Sequence, residues 1–62
     1  MKASTWHAGL RRAWNRYVLD SEVEREVIRQ GARKSVIALA REHKNQSLNF
    51  YLKLLVAYPG NA

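Results

Sequence analysis

Two groups of cationic residues are the clearest means by which this chain could do chemistry. Arg11, Arg12 and Arg16 form one, and Arg29, Arg33 and Lys34 form the other around Gly31. At helical spacings such groups gather on one side, where they can neutralise phosphates along a nucleic-acid backbone without reading base edges. Eleven Lys and Arg against five Asp and Glu leave a net charge of +6 on 62 residues, a field that favours polyanions. Nucleic acid, DNA in the first instance, is therefore the expected partner. Six neutralised phosphates correspond to a slope of about −5 in log affinity against log salt.

Other chemistries lack their residues. His7 and His43 are far apart, with no cysteine and no carboxylate at ligand spacing, so no metal site is expected. Ser, His and Asp occur without a nucleophile elbow, and the three glycines are isolated, so neither an acyl-transfer site nor a phosphate loop is expected. The reading is of a non-enzyme with no cofactor. Trp6, Trp14, Tyr17, Phe50, Tyr51 and Tyr58 recur at helical spacing and read as core. The exception is Trp14, which Arg11, Arg12, Asn15 and Arg16 surround and which could stack on a base.

The elements that must position these residues read as helices. Trp6, Leu10, Ala13, Trp14, Tyr17 and Val18 share a face after Ser4 or Thr5 as a cap, with the arginines outside. The stretch DSEVERE reads as a stop and restart, with Ser21 and Glu24 at capping-box spacing. Gly31 reads either as a left-handed terminator, with Ser35 capping the next helix, or as a weak point in one helix from Glu22 to His43. Lys44 to Ser47 reads as another break, and Pro59 with Gly60 as a stop. The sequence thus predicts a single small all-α domain over 1–62. It would be a bundle of three to four short helices, about 4–19, 22–30, 35–43 and 48–58, the middle two joined if Gly31 does not break them, completed by dimerisation.

A helix-turn-helix centred on Gly31 matches the usual core pattern at Ala32, Ile37 and Ala40 but places Glu26 and Gln30 at the other core positions. A second register, turning at Asn45 to Ser47, gives a recognition helix whose only cation is Lys53. Both are weak. The helix from Leu48 to Tyr58 is apolar nearly all round, so burial on more than one side is expected, with Phe50, Leu54 and Tyr58 meeting a second copy or a partner. A homodimeric nucleic-acid-binding regulator or accessory factor is the leading expectation, of a type common among phage and plasmid accessory proteins. The alternative is a module that docks an apolar helix on an acidic host protein. No run is long and apolar enough to span a membrane or serve as a signal peptide, and a cytoplasmic location is expected.

Overall fold

The computed structural model describes residues 2–58. Two long helices, α1 (Ala3–Arg29) and α2 (Lys34–Val56), fold back on each other as an antiparallel hairpin, a rod whose Cα extents are 46 × 14 × 11 Å. The sequence reading of three to four helices is corrected to two. The chain is all-helical among the described residues, but neither DSEVERE nor Lys44 to Ser47 interrupts a helix.

The reason lies in the seam. Trp6, Leu10, Ala13, Tyr17, Asp20, Glu24 and Val27 of α1 are buried or half-buried, and they alternate at spacings of four and three. On α2 the same alternation runs through Ile37, Ala40, Lys44, Ser47, Tyr51 and Leu54. Two antiparallel helices with that repeat pack along their whole length. Asp20, Glu24, Lys44 and Ser47 therefore occupy core positions and bond across the seam instead of ending helices.

The Ser47 hydroxyl donates to the Asp20 carboxylate and also lies 3.0 Å from the His43 carbonyl one turn back. Lys44 Nζ donates to Glu24 Oε1 at 2.8 Å, and Arg41 Nε lies 3.2 Å from Glu24 Oε2. Asp20 is 8% exposed, and Arg16 Nε lies 3.5 Å from its Oδ2. Polar pairs at seam positions fix register, because a slipped pairing would leave each buried group without its partner.

At the open end Trp6 closes the seam. Its indole Nε1 donates to the Leu54 carbonyl at 2.6 Å, a second bond for an acceptor in the last turn that otherwise has only the Ala57 amide at 3.2 Å, and its ring packs on Tyr58 with centroids 4.6 Å apart. Trp14 rests on Tyr17 and Tyr51 at 5.4 and 5.2 Å. At the other end Gly31 takes φ +71°. The Ala32 amide donates to the Val27 carbonyl and the Gly31 amide to that of Ile28, the paired bonds of a Schellman motif. Of the two readings of Gly31, the break is the one observed.

The caps differ from expectation. Lys2 precedes α1 and Arg33 precedes α2, neither with a side-chain cap bond, so Ser4, Thr5 and Ser35 lie inside first turns. Pro59 and Gly60, expected to stop the last helix, lie outside the described residues. No helix-turn-helix forms in either register: the turn at Gly31 returns α2 along α1, and Asn45 to Ser47 is helical.

Candidate nucleic-acid interface

A hairpin of this kind has two flanks, one on each side of the seam, and the phase of each helix assigns residues to them. On one flank α1 presents His7, Arg11, Trp14, Val18, Arg25 and Ile28. The facing residues of α2 there are Lys34, Arg41, Leu48, Leu52 and Leu55. On the other flank α1 presents Gly9, Arg12, Arg16, Leu19, Val23 and Glu26, and α2 presents Val36, Leu39, His43, Gln46, Phe50 and Lys53. Contacts bear out the division. Trp14 meets Tyr51 on the first, whereas Arg12 lines a groove with Gly9, Phe50 and Leu54 on the second.

The two flanks differ in charge. Among the described residues of the first, the only carboxylate at the seam edge is Glu24, and it is held by Lys44 and Arg41. The Lys44 hydrogen bond, then the charges of Lys44 and Arg41, keep that carboxyl below its ordinary pKa despite partial burial. It stays ionised and neutralised. Arg11, Arg25 and Lys34 are exposed and make no ion pair among the described residues. Trp14, 45% exposed, sits between Arg11 and Arg25 on this basic surface. Arg11 and Arg25 are fourteen positions apart, about 21 Å along the helix at 1.5 Å per residue.

The structure thus distributes the six cations read from the sequence. Arg11 lies on the first flank, and Arg33 and Lys34, both exposed, stand at the turn beside it. Arg12 and Arg16 lie on the opposite flank, and Arg16 is engaged by Asp20. Arg29 points outward from α1 and is held bidentately by Glu26, Nη2 to Oε1 at 2.8 Å and Nε to Oε2 at 3.2 Å. That contact, with a hydrogen bond from Gln30, keeps the Glu26 carboxyl below its ordinary pKa. Arg25 was not among the sequence candidates. Its seven-residue steps from Val18 and Arg11 were the signal, masked by the acids on either side.

The residues expected at an interface also separate. Leu54 is half-buried in the seam, where a Cβ on Gly9 would meet its Cδ1 at 3.9 Å, and Tyr58 packs on Trp6. Phe50 remains 59% exposed. Leu52 and Leu55 are exposed as well. No group of three or more His, Cys, Asp and Glu side chains that could hold a metal is found among the described residues. None of their helices is long and apolar enough to cross a membrane. Compared with known protein families, characterised proteins and solved structures, the chain matches none.

Proposed function

We propose that this chain is a non-catalytic nucleic-acid-binding regulator or accessory factor that works as a homodimer, DNA being the first substrate to test. One observation carries the reading: folding holds Asp20, Glu24 and Glu26 against Arg16, Arg29, Arg41 and Lys44, while Arg11, Arg25, Arg33 and Lys34 stay outside on or beside one flank, against Arg12 and Lys53 on the other. Net charge alone gives a diffuse attraction. A row of unneutralised cations along a rod gives a surface that can follow a phosphate backbone. Trp14 in that row adds an apolar ring able to pack on a sugar or an unstacked base.

Four free cations on one flank correspond to a salt slope of about −4, shallower than the slope expected when all six sequence candidates are counted. Fluorescence anisotropy of a labelled mixed-sequence duplex, across a series from low to physiological salt, tests this. A slope near that value supports the reading, and no binding at low salt removes it. The second reading, a module that docks on an acidic protein, is favoured by the apolar groove of Val23, Val27, Val36, Leu39 and Ala40 beside the turn. Capture of a defined acidic partner after nuclease treatment, with no duplex binding, would favour it.

A further inference from the structure

We propose that the flank carrying Phe50 and Leu39 is the homodimer interface, and that a second copy docks on it antiparallel, turn over open end, to make a four-helix bundle. This rests on the dimeric half of the proposed function and is independent of the nucleic-acid half. The hairpin alone is short of burial. Its accessible surface is 4982 Å², where a compact monomer of 7.2 kDa exposes about 4,100 Å². The excess, about 900 Å² per chain, is close to the ~800 Å² each partner contributes to a standard interface. Among the described residues no large side chain is fully buried.

Charge selects the flank. Two copies meeting through the Trp14 flank would set Arg11 and Arg25 against each other with no carboxylate between them, since Glu22 stands on the outer face beside Arg25, and like-charge repulsion disfavours that contact. The opposite flank carries both signs and two apolar grooves, one beside the turn and one with Gly9, Phe50 and Leu54 on its floor and walls.

Register selects the arrangement. Along α1 this flank reads Arg16, Leu19, Val23, Glu26, with spacings of three, four and three that are the same in both directions. Laid antiparallel on itself, Arg16 meets Glu26 of the second copy and Leu19 meets Val23. Arg16 uses Nε on Asp20, leaving its terminal amines for that contact, and Glu26, which accepts two bonds from Arg29 and one from Gln30 of its own chain, offers the remaining lone pair of Oε2. Along α2 the flank reads Leu39, His43, Gln46, Phe50, again the same in both directions. Leu39 then meets Phe50 of the second copy and His43 meets Gln46. Each pattern has its own centre, near residue 21 on α1 and between 44 and 45 on α2. The cross-seam pairs Asp20 with Ser47 and Glu24 with Lys44 bracket both centres and set them within about two residues of each other, about 3 Å along the rod. A single two-fold axis inclined slightly to the rod's perpendicular therefore serves both helices. Leu39 and Phe50, 55% and 59% exposed in one chain, fill each other's grooves.

The chain has no cysteine, which makes cross-linking a clean test. In the double variant Leu39→Cys, Phe50→Cys the two thiols of one chain are eleven positions apart on one helix, about 16 Å, too far for a bond that needs Cα atoms within about 7 Å. Mild oxidation is expected to convert most of the protein to covalent dimer on a non-reducing gel. Sedimentation equilibrium of the wild type, without nucleic acid, is expected to give twice the chain mass. A second pair of variants covers the case in which the cysteine variant does not fold. Glu26→Arg is expected to weaken dimerisation at least about tenfold through the Arg16 contact, and Arg16→Glu with Glu26→Arg to restore most of it. A monomeric wild type overturns the dimer itself. A dimer that neither cross-links nor responds to the charge exchange overturns this interface and leaves dimerisation and duplex binding to stand on their own tests.

Discussion

Replacing Gly9 and Gly31 separately by alanine should change stability in opposite directions, and the structure gives the reason for each sign. Gly9 lies inside α1 with ordinary helical geometry. A Cβ there meets nothing nearer than Leu54 Cδ1 at 3.9 Å, which is normal van der Waals contact, so alanine fits without displacement. Its gain is the helix-propensity difference, about 1 kcal/mol, because the unfolded chain loses conformations that glycine allows. Gly31 has open space around it but φ +71°, where a Cβ approaches the following carbonyl at a cost of about 1–2 kcal/mol. The cost also falls on the Val27 and Ile28 carbonyls, whose bonds with Ala32 and Gly31 depend on that conformation. Thermal denaturation by circular dichroism at one fixed concentration reads both, since about 1 kcal/mol shifts the midpoint by roughly 4–8 °C in a domain this size. Gly9→Ala should raise the midpoint by about that amount and Gly31→Ala lower it by as much or more, with Gly31→Asn falling between wild type and alanine. Equal destabilisation at both positions would refute the reasoning, because it would mean that Gly9 also needs its missing side chain.

The seam supports further predictions. Trp6→Phe keeps an apolar ring but removes the donor to Leu54, so a loss of about 1 kcal/mol is expected. Trp6→Ala removes the ring as well, at about 3–5 kcal/mol, comparable to the whole stability of so small a core. A melting series that ranks Phe with Ala would contradict this. Because the Glu24 carboxyl is held below its ordinary pKa of 4.5, its pairing stabilises the fold above that pH and is lost as pH falls through the lowered value. Melting curves between pH 6 and pH 3 should therefore decline at the acid end, less so in Glu24→Gln, and parallel curves would remove the argument. Trp14→Ala should weaken binding to single-stranded DNA by about 1–3 kcal/mol if the ring stacks on a base, which affinity measured beside the melting midpoint separates from unfolding.

How far the sequence disclosed this structure depended on where apolar residues occupy the seam. The first helix was legible from Trp6 to Tyr17, where apolar side chains mark every seam position. It was lost at Asp20 and Glu24, because polar side chains at core positions look like a helix start when their partners, Ser47 and Lys44, lie twenty or more residues away in the chain. The same pairing hid the continuity of α2 through Lys44 and Ser47. Gly31 was legible as a terminator because a left-handed turn has a local signature. Leu48 to Tyr58 was legible as apolar on too many sides for one helix to cover, but which residues α1 covers depended on the long-range register. Leu54 therefore went inward and Leu52 and Leu55 outward. The basic character of the surface was plain from composition. Its division between flanks was not, since Arg11 and Arg12 are neighbours in sequence and lie on opposite sides of the outer face.

The claim that one flank of the hairpin binds nucleic acid is tested most directly by reversing charge on each flank in turn and titrating a labelled duplex at low salt. Arg11→Glu with Arg25→Glu is expected to weaken binding by at least about tenfold and to reduce the salt slope by about 2. Arg12→Glu with Lys53→Glu changes net charge by the same amount on the opposite flank and is expected to cost much less. Equal losses from the two pairs, with circular dichroism showing both folded and sedimentation showing both in the same oligomeric state as the wild type, would contradict the account and assign binding to net charge alone.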